Sequence, residues 1–361
     1  VNDRNPAAAG PAAATTRVDV GCYTNRSPIG VHTFDLVGLP DQPALAPRAH
    51  LEGVDHPSYV VAHPTAPVRY LVSEVTEGEI VVCADDEGSL TVVQRVPSHG
   101  AAPCHLATDG QLVAVANYVS GTAAAWSLTP DGRIDALVWT AEHEGTGPHP
   151  RQEAPHAHGV VLDPRRPSIH VVDLGTDVIA RYDATAGAAG FRLADQVAMA
   201  PGAGPRHLVL HPARPVAYAV CELDSTLVTL DVDETTGALR PRTTISTLPP
   251  GHADDSIAAA IRLHPDGHHL FVTNRGHDSI AVFDTSTTSD SPVLLGHVAT
   301  GGSGPRDLAI DPTGRLLLVA NQHGGTVTGF DLGDGSGLPR PLGVLAEVDE
   351  PVCLLISAVA P

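Results

Sequence analysis

Six short segments of the chain carry the residue types that bind anions and move protons. They read APCHL with His105, PHAH with His156 and His158, GPRH with Arg206 and His207, CE with Glu222, TNR with Asn274 and Arg275, and GPRD with Arg306. Guanidinium forks suit carboxylates and phosphates, and imidazole or carboxylate side chains exchange protons with substrate and water. A cleft in which these groups converge has the composition of an anion-binding or acid/base site. Read singly, each polar residue at a strand end is explained by turn chemistry. The set calls for a common frame.

Other chemistries fit less well. His156-x-His158 offers two imidazoles to a metal, with His105 and His207 as further donors, but no third ligand has a diagnostic spacing. No G-x-S-x-G, H-E-x-x-H or G-x-G-x-x-G occurs. All 21 basic residues are arginine, which excludes a lysine Schiff base, covalent pyridoxal phosphate and a Walker-A loop. The expectation is a site without metal or cofactor.

The elements that must position these residues repeat. GAGPRHLVLHP (202–212) and GSGPRDLAIDP (302–312) lie 100 residues apart, with SIAAAIRLHPDG (256–267) between them. Further copies are HPSYVVAHP (56–64), APCHLATDG (102–110), APHAHGVVLDP (154–164) and a partial EPVCLLI (350–356). The period is therefore about 50 residues. In each unit a short apolar strand leads through a Pro/Gly/Asp turn to a second strand, then a third and a less regular fourth. Four strands per unit is the blade of a β-propeller.

Six units over roughly 51–349, plus strand-like fragments at both ends, predict an all-β, seven-bladed propeller of four antiparallel strands per blade. Strands from the two ends share one blade, which leaves no unpaired end. The propeller should occupy 18–361, after a disordered Ala/Pro-rich leader at 1–17. Aligning the copies puts Glu74, Asn117, Asp173, Glu222, Asn274 and Asn321 in one ring at the second-strand ends. The residues after the leading proline form another, running through Ser58-Tyr59, Cys104-His105, His158, Arg206-His207, Ala259-Ala260 and Arg306-Asp307.

Composition bounds the partners. With 41 acidic residues the formal net charge is −20, which argues against nucleic-acid or anionic-membrane binding. No run reaches the ~20 apolar residues of a membrane span. The five cysteines show no C-x-x-C pair and read as small core residues in a reducing, cytoplasmic compartment. Asp85-Asp86-Glu87 and residues 347–350 read as solvated loops. The insertion at 143–152, carrying His143, His149 and Arg151, is longer than a blade needs and could lid the channel mouth.

At these residues the chain resembles the seven-bladed propeller lactonases, which include bacterial 6-phosphogluconolactonases and fungal carboxymuconate-lactonising enzymes. The resemblance is carried by GCYTN (21–25), NYVSGTAAAWSL (117–128), PHAH (155–158), GPRHLVLHP (204–212), CELDSTL (221–227), FVTNRGHDSIAVF (271–283), GPRDLAIDPTGRLLLVANQ (304–322) and PVCLL (351–355). It implies a catalytic set of His158, Arg206, Glu222 and Arg275, with no metal. His105, Asn117, His156, His207, Asn274, Arg306 and Asn321 are the expected substrate-binding positions. The expected activity is hydrolysis of a small, anionic sugar-acid lactone by a monomer or weak dimer. Glu222 or His158 would take a proton from water while the arginines hold the substrate anion or the oxyanion. A cyclase or isomerase on the same site, or a propeller that only binds a ligand or protein, are the alternatives. One departure bears on them: family members often carry an acidic residue where this chain has Ala259-Ala260. Asp254 and Asp255 stand nearby in sequence.

Overall fold

The computed structural model describes residues 16–38, 42–185, 190–286, 291–333 and 337–358. Its strands form seven four-stranded antiparallel sheets. Blade 1 takes Thr16–Cys22, Ile29–Val37 and Ala44–Glu52 from the beginning of the chain and its innermost strand, Pro351–Ala358, from the other end. Blades 2 to 7 follow in chain order, with inner strands Val60–Ala62, Pro103–Thr108, Ala157–Leu162, Pro205–Leu210, Ile257–Leu263 and Pro305–Ile310. Each inner strand contacts the next around a closed ring, and Pro351–Ala358 touches both Pro305–Ile310 and Val60–Ala62. The propeller and its shared closing blade are as the repeat predicts. Ala44–Glu52 is a third strand contributed by the N-terminal side, one more than the two fragments read from sequence.

The core lies between blades. Seven buried apolar clusters occupy the seven blade-to-blade interfaces, and each draws residues from two neighbouring sheets. Middle strands are therefore buried on both faces: Val68–Ser73, Val216–Cys221 and Leu316–Asn321 are buried at every position. Trp126 and Trp139 pack in two of these interfaces, and all five cysteines are buried and unpaired.

The expected leader falls outside the described residues up to position 15. Thr16 and Arg17 instead open the first strand. Arg17 is buried, with Nη1 2.7 Å from Asp85 Oδ1, and Asp85 also meets Arg69 Nη2 at 3.0 Å. The expected solvated loop at Asp85 is thus an ion-pair anchor, drawn in by two arginines that the linear sequence keeps apart.

Candidate active site at the channel mouth

A slip in strand pairing aims the site residues. Just inside the start of the inner strands, register shifts between Pro103 and His105, Ala157 and Gly159, Pro205 and His207, and Pro305 and Asp307. Blade 6 has the wider version between Ala258 and Ile261. Such bulges turn a side chain out of the pleat, and here they place Cys104, His158, Arg206, Ala259 and Arg306 at equivalent positions. A cavity of about 10 Å³ at this level is lined by Ser58, Cys104, Arg206 and Arg306, with Tyr59, His207 and Asp307 one step further along their strands. It has room for about one water, and Ser58 Oγ is buried there without a partner.

The G-P-R sequences build two of these positions identically. Gly204 and Gly304 have φ of +62° and +68°, the left-handed region that glycine enters without strain. Their N–H groups donate to Asp177 Oδ1 at 2.7 Å and Asp278 Oδ1 at 2.9 Å, acids in the turns of the preceding blades. Arg206 and Arg306 are thus fixed by backbone locked onto the neighbouring blade.

The second ring differs from the one aligned from sequence. The last paired residues of the second strands are Ser73, Asn117, Asp173, Cys221, Asn274 and Asn321. The next residue opens the turn, and its N–H donates back to the segment before the inner strand: Tyr23 to Glu350, Glu74 to His56, Tyr118 to Ala102, Leu174 to His156, Glu222 to Gly204 and Gln322 to Gly304. Glu74 and Glu222 therefore share their position with Tyr23, Tyr118 and Arg275, not with the asparagines.

That one-residue offset corrects three expected substrate contacts. Asn117, Asn274 and Asn321 are fully buried and tie strands together. Asn117 Nδ2 donates to Ser98 O and Thr122 Oγ1. Asn274 Nδ2 donates to Thr247 O at 2.8 Å, and Asn274 Oδ1 accepts from Thr247 Oγ1 at 2.6 Å. Asn321 Nδ2 donates to Thr326 and Thr328. Asn117 and Asn274 hold the segment arriving from the previous blade, and Asn321 ties its strand to the third strand of its own blade.

Glu222 is the hub. Its carboxylate is 2% exposed; Oε1 accepts from Arg151 Nη1 at 2.6 Å, and Oε2 accepts from Arg206 Nε and faces Arg275 Nη2, both at 2.8 Å. Burial alone would raise its pKa, but Arg275, Arg206, His158 and Arg151 together hold it well below the usual carboxylate range. A carboxylate so committed is a poor proton acceptor, so the role of general base expected for it does not fit. It is a clamp for arginines. Arg206 Nη1 and Arg275 Nη2 also donate to the carbonyls of Ala259 and Ala258. Burial and the neighbouring guanidinium groups bring Arg275 down to about 10. Asp254 and Asp255 stay exposed on the preceding loop and pair with neither arginine.

Of the four arginines gathered here, Arg306 has no carboxylate ion pair. Its Nη2 donates to Tyr23 Oη at 2.8 Å, its guanidinium lies 5.3 Å from the Tyr23 ring centre, and Tyr23 Oη in turn donates to Glu74 Oε2 at 3.1 Å. The mouth therefore gathers four guanidinium groups around two carboxylates, a local positive excess in a chain of net charge −20.

The histidines layer beneath and beside these groups. His158 and His207 have ring centres 5.5 Å apart, and His207 and His105 4.9 Å apart. Tyr59 covers His105 at 4.2 Å. Burial first, then Arg206, holds His158 and His207 well below the ordinary imidazole value; burial, Arg262 and Arg206 take His105 to about 3. All three are neutral near pH 7. His156 and His158 do not face one another as a ligand pair: His156 stacks on Tyr118 at 4.4 Å, and His158 meets that ring edge-on at 5.5 Å. Among the described residues no three His, Cys, Asp or Glu side chains are grouped to hold a metal ion. Cys104 Sγ lies 3.8 Å from His158 Nδ1, but burial pushes its thiol far up, so it is no thiolate nucleophile.

Sequence reasoning placed Glu74 in the strand-end ring but missed Tyr23 and Tyr118 as neighbours of the site, and flagged Arg151 only within the insertion. A turn alignment shifted by one residue would have set Tyr23 and Tyr118 beside Glu74. Nothing periodic signals Arg151, which reaches Glu222 across 71 residues and also donates to Tyr118 Oη at 3.2 Å.

Fold and site together define a seven-bladed β-propeller with arginines and histidines gathered where its inner strands begin. The model of the lactonase, 7-bladed beta-propeller family matches residues 17–356, and the chain belongs to that family. It is 33% identical over 341 residues to the 6-phosphogluconolactonase of Bacillus subtilis, covering 93% of this chain and 96% of that one. Among solved structures, a putative 6-phosphogluconolactonase from Bacteroides fragilis superposes with a TM-score of 0.88 at 27% identity, covering 97% and 100% of the two chains. The periplasmic gluconolactonase of Pseudomonas aeruginosa does so with a TM-score of 0.86 at 27% identity, covering 96% and 100%. Among the described residues no helix is long and apolar enough to cross a membrane.

Proposed function

We propose that the protein hydrolyses a small anionic sugar-acid lactone at the channel mouth, as the names of its relatives suggest for them. The observation that carries this reading is the excess of guanidinium over carboxylate around Glu222, set beside an imidazole held neutral at His158. In this reading His158 takes a proton from water as the water oxygen bonds to the lactone carbonyl carbon. Arg206 and Arg275, steadied by Glu222, meet the oxyanion that develops. The ring C–O bond then breaks, and the proton on His158 passes to the departing alkoxide oxygen. Arg306, free of any carboxylate, holds a hydroxyl or anionic group of the substrate.

A positioned base contributes about 10²–10⁴-fold when its pKa lies near the working pH. Burial and Arg206 keep His158 unprotonated at neutrality but lower its proton affinity too. In this reading the bound substrate anion, by offsetting the nearby guanidinium charge, raises that affinity for the reaction. The five buried, unpaired cysteines are consistent with a reducing, cytoplasmic setting. The test is a lactone panel of 6-phosphogluconolactone, δ-gluconolactone and a muconolactone, followed by NMR against spontaneous opening. Accelerated opening of the phosphorylated sugar lactone that is lost in His158→Ala and Arg206→Ala supports the reading. Opening at the spontaneous rate throughout overturns it.

A further inference from the structure

We infer that Arg151, presented by the insertion between blades 3 and 4, is the specificity residue that selects a lactone bearing a remote phosphate. This rests on the proposed lactone site and adds to it the group that recognises the substrate's charge.

Three arginines share Glu222, but they are not equivalent. Arg206 and Arg275 also donate to backbone carbonyls, and their side chains are 4% and 13% exposed. Arg151 has only the carboxylate and the Tyr118 phenol, and is 42% exposed. It is the outermost guanidinium of the clamp, the one an incoming anion meets. Turning from Glu222 to a phosphate would leave Glu222 with two guanidinium partners and would give Arg151 a dianion for its fork.

The insertion holds Arg151 in place as a rigid arm. Gln152 is fully buried. Its Nε2 donates to Leu174 O at 2.7 Å and Asp177 Oδ1 at 2.8 Å, and its Oε1 accepts from His149 N at 3.0 Å. Asp177 is also the residue that anchors Gly202 and Gly204, immediately before Arg206. One buried amide thus ties the arm carrying Arg151 to the loop that carries Arg206. At its other end the insertion is held by His143, whose Nδ1 lies 2.6 Å from Asp173 Oδ2. An arm fixed at both ends that presents a side chain 42% exposed is suited to reading charge, since little ordering remains to be done on binding.

The experiment compares kcat/KM for 6-phosphogluconolactone and uncharged δ-gluconolactone in the wild type, Arg151→Met, Arg151→Lys and Gln152→Ala. Arg151→Met is expected to lower the phosphorylated-to-uncharged preference by about tenfold or more, the effect of one lost fork contact, mainly through KM. Arg151→Lys should recover part of it, and Gln152→Ala should lose preference while keeping the charge. Arg192→Gln, an exposed arginine on an outer strand, controls for net charge and should keep the wild-type preference. Equal losses on both lactones would make Arg151 only a prop for Glu222 and overturn the inference. So would an unchanged preference.

Calorimetric binding of 6-phosphogluconate and inorganic phosphate separates this inference from the hydrolytic reading. Loss of 6-phosphogluconate binding in Arg151→Met supports the anion contact even if no lactone is turned over. Retained binding overturns it whatever the wild type hydrolyses.

Discussion

Arg206 Nε lies 2.8 Å from Glu222 Oε2, with both side chains at least 96% buried and in the same blade, one in the inner-strand bulge and the other in the next turn. A buried ion pair of this kind does not by itself add stability, yet removing one partner leaves an uncompensated charge. At Glu222 the consequence is larger, because Arg151 and Arg275 lose the same partner.

Glu222→Gln is therefore expected to lower folding stability by about 3–5 kcal/mol, read as a shift of the urea midpoint. The folded fraction should lose kcat more than it gains KM, because the arginines that meet the oxyanion are no longer held. An unchanged midpoint would contradict the clamp.

Arg306→Met separates binding from folding. Arg306 has only the Tyr23 hydroxyl and ring as partners, so stability should change by about 1 kcal/mol. The KM for an anionic lactone should rise about tenfold or more. A variant that unfolds while retaining KM would show a structural arginine.

The pH dependence follows from buried neutral histidines. His158 and His207 are held well below their unfolded value, and His170, fully buried with neither ring nitrogen bonded, sits at about 4. Below the unfolded imidazole value the unfolded chain binds protons that the folded chain does not. Stability should therefore fall as pH drops below roughly 6.5, by up to about 1.4 kcal/mol per pH unit for each such histidine. Glu222 has the same sign: its contribution is full above the ordinary glutamate range and is lost as pH falls through its depressed folded value. Activity should show no imidazole inflection near neutrality. Denaturation midpoints between pH 4 and 8, with kcat/KM over the range in which the protein stays folded, check both. A stability plateau down to pH 5, or a rate inflection at 6.5, would contradict the burial argument.

Asn274→Ala tests the register. The side chain bonds Thr247 of the segment arriving from the previous blade and Ser279 of its own, so its loss should cost about 2 kcal/mol. The kcat/KM of folded protein should stay within about twofold of wild type. A large KM effect with normal stability would return Asn274 to the substrate.

Much of this was legible because a propeller writes its architecture as a period. The 50-residue recurrence and the G-P-R, A-P-C-H and P-H-A-H segments located every blade and the bulge ring, including Ala259 in the blade next to that of Arg206. The second ring was misread because the strand-end alignment followed polar residues, grouping Glu222 with Asn117. In the fold Glu222 stands with Tyr118 and Arg275, and one residue in a strand changes the face. The base role of Glu222 was illegible for another reason. A sequence shows that Glu, His and Arg converge but not how many guanidinium groups share one carboxylate, and that number decides whether it can accept a proton. Arg17 with Asp85, and Arg151 with Glu222, join segments 68 and 71 residues apart, so only the closed ring brings them together.

Lactone hydrolysis at this site is read from the rate of proton release from 6-phosphogluconolactone at constant pH, with spontaneous opening subtracted and a chelator present in parallel. Wild-type protein is expected to show chelator-resistant turnover that falls by at least about 10² in His158→Ala. Wild-type release at the spontaneous rate, or full activity in His158→Ala, would contradict it.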